Sequence, residues 1–222
     1  MIILTPRLMK AAEYAVGAER IIDVGCDHGY LSAYMVTAGG ASFAYACDVN
    51  EGPLCKARET VEQLGIEDKV KTVLCNGLCN FQENDADTVF ICGMGGELIS
   101  EILSAAPWTS NGKHKLILQP MTRNEKLRMF LQENGYQIIE ECFVKEDFRL
   151  YCLMSVIGGY GDCGKDNIYL FSNNVVRDEN FFEYVNLQLN KFRIIAEEKE
   201  KAGHSATYER DAIKVLEDCN AC

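Results

Sequence analysis

The sequence predicts an α/β protein: an open, mostly parallel sheet with helices on both faces, an antiparallel hairpin at its end, and a pair of helices after that. Three observations carry this expectation. Short apolar runs alternate with helix-like stretches from residue 20 to about 157, the pattern of a parallel sheet joined by helical crossovers. The runs are nearly continuous in Ile, Val, Leu, Phe and Cys, which suits strands buried on both faces. The last two, 136–146 and 149–157, are joined only by Asp147 and Phe148. A link that short permits a hairpin but no parallel crossover.

Each element has its own signal. A first helix is expected at 5–16, with Thr5 as N-cap and Pro6 at the first helical position. Strands are expected at 20–25, 42–48, 70–75, 87–92 and 115–119. Helices fall between them at 29–38, 51–65, 95–106 and 123–134, each ending near a Gly or Asn. "GGYGDCG" at 158–164 marks a boundary between a main domain, 1–158, and a helical segment, 159–222. In the latter, Phe182, Val185, Leu189, Phe192 and Ala196 recur at spacings of three and four. "AGHS" then breaks the helix, and Ser205 can cap a second one through Leu216 that carries Tyr208, Ala212, Val215 and Leu216. Two helices about a short turn form a helical hairpin, serving as a lid on the main domain or as a functional arm.

The chain has 222 residues, 48% of them hydrophobic and 25% charged, enough for a packed core of one good-sized domain or one domain with an appendage. No apolar stretch approaches the roughly 20 residues of a membrane span, and the first residues do not read as a secretory signal. The expected location is the cytoplasm, with no membrane partner. Of the 11 cysteines, most lie inside apolar runs and behave as small hydrophobes; no metal site or disulfide framework is expected. The net charge of −11 argues against a large basic footprint for nucleic acid, though a local patch can exist on an acidic protein.

The informative stretch is "IIDVGCDHGYL", 21–31. Glycines after the first strand of such a sheet let the backbone approach a ligand. A dinucleotide fingerprint needs a third glycine between these two and room for pyrophosphate on a helix N-terminus. Here Asp27 sits where two phosphates would have to lie, so a phosphate-free, cationic nucleoside such as S-adenosylmethionine fits better. Asp23, Gly25, Cys26, Asp27 and Gly29 form the expected first wall of its site. The second strand ends at Asp48, Val49 and Asn50, where a carboxylate can accept both ribose hydroxyls. Asn76 and Gly77 follow the third strand, and Asn76 can bond an adenine amino group. Gly93, Met94 and Gly95 end the fourth and bring bare backbone beside the crevice. Taken singly, Asp23, Asp48 and Asn76 are also ordinary turn residues; three at successive strand ends favour a ligand.

The stretches "TPRLMKAAEYA", "DVGCDHGYL", "DVNEGPLCKA", "ICGMGGELISEIL", "LILQPM" and "EDFRLYCLMSV", in that order, resemble the bacterial tRNA (adenine-22-N1)-methyltransferases. The resemblance implies a Rossmann-like class I methyltransferase sheet followed by a coiled-coil-like helical arm, with S-adenosylmethionine as cofactor and tRNA as partner. It implies methyl transfer to N1 of an adenine. Asp27 is the first candidate for stabilising the cation that forms on the ring, with His28 and Tyr30 as positioning groups; Asp27 can equally bind the cofactor's ammonium. No N/D-P-P-Y/F motif is present, in keeping with a ring nitrogen rather than an exocyclic amine. Candidates for contacting RNA are Arg7, Lys10, Lys115, Gln119, Arg123 and Arg128, with Lys113, His114 and Lys126 nearby. Residues 161–222 hold 8 basic and 12 acidic side chains, so the arm would recognise tRNA by shape more than by charge. The enzyme is expected to act as a monomer or weak homo-oligomer. Competing readings are a methyltransferase for a small molecule or protein, and a non-catalytic cofactor- or RNA-binding protein on the same fold.

Overall fold

The computed structural model describes residues 2–160 and 170–220; the boundary stretch 158–164 lies partly outside them, as does Cys222. Seven strands form one sheet: β1 (Arg20–Val24), β2 (Phe43–Asp48), β3 (Val70–Leu74), β4 (Thr88–Gly95), β5 (Lys115–Thr122), β6 (Gln137–Glu146) and β7 (Arg149–Ile157). Their order is β3-β2-β1-β4-β5-β7-β6. The first five strands are parallel, and β7 is antiparallel to both β5 and β6. The helices are α1 (Pro6–Tyr14), α2 (Tyr30–Thr37), α3 (Glu51–Leu64), α4 (Gly96–Ser104), α5 (Asn124–Glu133), α6 (Glu179–Lys201) and α7 (Thr207–Asn220). The expected elements are all present, and the strongly apolar runs are strands for the reason given: side chains alternate between two buried layers. Ile21, Phe90 and Ile117 point into one layer with α1, α2 and α3; Ile22, Val24, Val89, Ile91, Leu116 and Leu118 point into the other.

The chain reverses its direction of growth between β3 and β4, so β1 and β4 are neighbours whose connections leave toward opposite sides. A crevice opens at the carboxyl ends of these two strands. α1 packs against β5, β6, β7 and α2, which brings its first turn to the edge of that crevice.

The C-terminal helices are rooted in the sheet. Phe181, Val185, Leu189, Phe192 and Ala196 of α6 are buried, so Phe181 rather than Phe182, which is partly exposed, heads the predicted stripe. Tyr184 stacks on Phe143 of β6 with ring centroids 4.0 Å apart. Farther along, ion pairs Arg193–Glu217, Lys199–Glu209 and Arg210–Glu200 clip α6 to α7. Ala212, Ile213 and Leu216 supply the apolar face of α7, while Tyr208 is half exposed.

One prediction fails here for a clear physical reason. Arg128 is wholly buried on α5 and paired with Glu141 of β6, also wholly buried, so it cannot reach RNA. Glu141 accepts from Arg128 Nε at 3.0 Å, from the Cys152 thiol at 3.1 Å and from the Ser172 N–H at 2.6 Å. Burial alone would raise the Glu141 carboxyl, but these partners, the Arg128 guanidinium foremost, hold it below the usual range. Ser172 leads into the segment whose Val175 bridges Glu141 beside β6, so this cluster joins α5, β6, β7 and the approach to α6. Removing one partner leaves a buried charge uncompensated. Arg128→Met is therefore expected to lower stability by about 3–5 kcal/mol, read as a fall in the urea midpoint.

Candidate active site

β1 stops at Val24 because the chain is drawn out of the sheet. The N–H groups of Gly25 and Cys26 both donate to the Cys47 carbonyl, at 2.8 and 3.0 Å. The turn that follows needs left-handed backbone at Gly25, Asp27 and Gly29, with φ of 75°, 48° and 70°. A Cβ on Gly25 would lie 2.4 Å from the Met94 methyl, and one on Gly29 would press on Ala57 at 3.0 Å. Gly29 is thus constrained by space as well as by conformation, whereas at Gly25 the flexible Met94 methyl could yield and the left-handed backbone is the requirement. Asp27 adopts the left-handed region without that freedom, a cost borne most often at ligand sites. Gly29 then serves as N-cap of α2 and supplies no side-chain cap, leaving that helix end open to a ligand anion.

A cavity of about 380 Å³ lies against this turn. Arg7, Asp23, Gly25, Cys26, Asp27, His28, Tyr30 and Gly93, all expected at the site, line it. Leu8, Leu31, Cys92 and Met121 complete the wall. His28 and Tyr30 are stacked, with centroids 5.3 Å apart and planes 8° from parallel. His28 Nε2 lies 3.7 Å from an Asp27 carboxylate oxygen. Asp27 and Tyr30 are exposed, Asp23 buried.

Burial pushes the Asp23 carboxyl up to about 6; the Ser32 hydroxyl, donating at 2.8 Å, opposes this and the nearby Asp48 carboxylate adds to it. Burial also raises the Cys26, Cys47 and Cys92 thiols well above their ordinary value, so none of the three is a thiolate nucleophile.

The neighbouring strand ends carry the remaining expected residues. Asp48 is held by the Asn50 N–H at 2.9 Å, with Val49 exposed beside it. The Cys75 N–H donates to the Asp48 carbonyl at 2.9 Å, which sets the exposed Asn76 and the buried Gly77 next to that end. At the end of β4 the pairing with β5 slips around Gly93, a bulge of the kind that re-aims backbone at a site. Met94 and Gly95 follow, Gly95 as N-cap of α4.

Four further expectations for RNA contact need correction. Gln119 is buried and is spent on structure: its carbonyl oxygen accepts from the Gly93 N–H at 3.0 Å and its amide donates to the Pro120 carbonyl at 3.1 Å. Lys115 begins β5, at the sheet edge opposite the crevice, and donates to the Tyr14 carbonyl at 3.3 Å. His114 is buried at that same far edge against the Ala86 carbonyl, and Lys113 there is paired with Glu83. Arg7, by contrast, faces the crevice. Lys10, a turn farther along α1, pairs with Glu13 and lies over Tyr14. Arg123 is exposed at the N-cap of α5 with φ 58°, on the crevice edge.

Among the described residues no group of three or more His, Cys, Asp or Glu is placed to hold a metal ion, and no helix is long and apolar enough to cross a membrane.

Residues 4–154 match the family described as a methyltransferase domain. The tRNA (adenine(22)-N(1))-methyltransferase of Bacillus subtilis (strain 168) is 34% identical over 173 residues, covering 78% of this chain and 73% of that protein. The crystal structure of the B. subtilis M1A22 tRNA methyltransferase TrmK superposes with a TM-score of 0.82 at 28% identity, covering 98% of this chain and 96% of that one. The M. capricolum TrmK in complex with S-adenosyl-homocysteine gives 0.80 at 27% identity, covering 97% and 96%. With the acidic glycine turn, the crevice at the strand switch and these similarities together, the chain belongs to the tRNA (adenine(22)-N(1))-methyltransferase family.

Proposed function

We infer that this protein transfers the methyl group of S-adenosylmethionine to N1 of adenine 22 in tRNA. The observation that carries the reading is the crevice wall itself: Asp23 and Asp27 line the cavity, and Asp48 ends the adjoining strand. A pyrophosphate would be repelled there, whereas an ammonium, a sulfonium and a pair of ribose hydroxyls are each served by a carboxylate. The space at Gly25 and Gly93 and the open end of α2 suit the rest of such a molecule, its carboxylate included. Asp23, Gly25, Cys26, Asp27 and Gly29 would hold the amino-acid end, and Asp48, Val49, Asn50, Asn76 and Gly77 the nucleoside. Gly93, Met94 and Gly95 would form the floor toward the acceptor. When bound, S-adenosylmethionine supplies a methyl group activated by its positive sulfur.

The acceptor needs little from the protein beyond placement. N1 of neutral adenine carries an in-plane lone pair, so no base is required; the methyl is gained, no proton leaves, and the ring becomes cationic. His28 and Tyr30 present a flat stack at the crevice mouth against which an extruded base can be positioned. Asp27 offers a carboxylate to the developing charge or to the cofactor's ammonium. Arg123, exposed where the chain leaves β5, is the cation most available to phosphates; Arg7 faces the crevice but is paired with Glu146, and Lys10 is paired with Glu13. The division at 158/159 into a catalytic domain and a helical hairpin serves this reading, with the hairpin bearing on tRNA shape. On this reading the enzyme acts as a monomer or weak homo-oligomer in the cytoplasm.

Three measurements follow. Tritiated methyl incorporation is expected with unmodified bacterial tRNA and is expected to vanish when adenine 22 is replaced by guanine; incorporation that ignores the replacement contradicts the site. Asp27→Ala is expected to lower kcat by about 100-fold or more, and full activity in that variant would show that the acid plays neither role. The third concerns pH. With the Asp23 carboxyl raised to about 6 in the free protein, a cationic ligand favours its ionised form, so affinity is full above that value and falls as pH drops through it. S-adenosylhomocysteine should bind about tenfold more weakly at pH 5 than at pH 7, and calorimetry on Asp23→Asn should show that dependence flattened.

A further inference from the structure

The aromatic residue at the tip of the β6–β7 turn is unexplained by the fold. β6 is antiparallel to β7, and β7 to β5, so β6 runs in the same direction as β1, β4 and β5. Its end therefore lies at the same sheet edge as the crevice. Glu146, the last residue of β6, closes on Arg7: its carboxylate sits 3.3 Å from Arg7 Nε and accepts from the Arg7 N–H at 3.2 Å. Tyr151 of β7 lies under the same guanidinium, 5.2 Å from ring centre to carbon. Arg7 lines the cavity. The tip, Asp147–Phe148, thus begins one residue beyond the group that fixes the crevice wall, at about 3.3 Å per residue of extended chain.

Phe148 is 102% exposed, so its ring contributes nothing to packing. The turn does not require it either. Asp147 takes the left-handed position, φ 54°, and tips of this kind are ordinarily finished by Gly, Asn, Asp or Ser. Arg149 beside it is exposed as well. The result is an aromatic ring on a two-residue turn, flanked by the exposed Asp147 and Arg149, at the same sheet edge as a crevice that, on the reading above, receives a base taken out of its stack. Base stacking on an aromatic face is sequence-tolerant and strong, and an apolar wedge at an opened step is a common way to hold a nucleotide out.

We propose that Phe148 stacks on a base of the tRNA adjacent to the target adenine and so holds the strand open while the adenine occupies the crevice. The proposal rests on the methyltransferase reading above. Arg149 neutralises a neighbouring phosphate on an otherwise acidic protein.

The test compares wild type, Phe148→Ala and Phe148→Trp in two assays: steady-state methylation of tRNA, and fluorescence of a transcript carrying 2-aminopurine in place of adenine 22, which brightens on leaving the stack. Phe148→Ala should lower kcat/KM for tRNA about tenfold or more and blunt the fluorescence rise. Phe148→Trp should restore both, and S-adenosylhomocysteine affinity and Tm should stay unchanged in all three. A Phe148→Ala variant equal to wild type in kcat/KM and in fluorescence overturns the proposal. Wild-type protein run in parallel separates the two claims: if it binds S-adenosylhomocysteine yet methylates no tRNA, the tRNA reading itself falls and takes the proposal with it.

Discussion

Two hydrogen bonds to one carbonyl set the geometry on which the site depends. By accepting from both Gly25 and Cys26, the Cys47 oxygen ends β1 and ties the ensuing turn to the last residues of β2. Everything chemical in the crevice is referenced to that tie. It forces the left-handed turn, which aims Asp27, His28 and Tyr30 outward and starts α2 with its N–H groups open. It also brings the turn so close to β4 that the Met94 methyl occupies the place of a Gly25 side chain. The turn is therefore set by backbone hydrogen bonds, and backbone geometry is costly to deform.

The electrostatics follow from that placement. Asp23 is carried into the interior on the last turn-facing residues of β1, and its one side-chain hydrogen-bond partner is Ser32. A carboxylate so confined gains from a positive ligand, and the nearby Asp48 deepens the preference. On the proposed function, burial disfavours the charged form of this acid in the free protein and a cationic cofactor would relieve that cost, a trade of stability for function common at binding sites. A second buried acid, Glu141, is compensated internally by Arg128 instead, and this pair stabilises the junction to the C-terminal helices rather than the chemistry.

Much of this was legible in the sequence, and the misses have a common cause. Strands buried on two faces announce themselves by composition alone, and a two-residue link fixes β6–β7 as a hairpin. The turn residues at 23–30 were legible because glycine spacing and interposed acids are local signals. Arg128 was not, because its partner Glu141 lies 13 residues away on another element and only tertiary packing buries the pair. Gln119 fails likewise, its role being to hold the Gly93 N–H across two strands. Lys115 is different: it begins a parallel strand, and strand direction alone would have put it at the edge away from the crevice. Leu8 reaches the site, and Glu146 reaches Arg7, only because α1 lies across the sheet near β6, a placement that no local periodicity reports; Met121, at the carboxyl end of β5, could have been placed there by strand direction.

The central claim is that an acid-lined crevice directs methylation to a ring nitrogen of adenine. Mass spectrometry of nucleosides from tRNA methylated by this protein tests it most directly. The account predicts 1-methyladenosine as the single new nucleoside, mapping to position 22. N6-methyladenosine, or a methyl group on a base other than adenine, would contradict it.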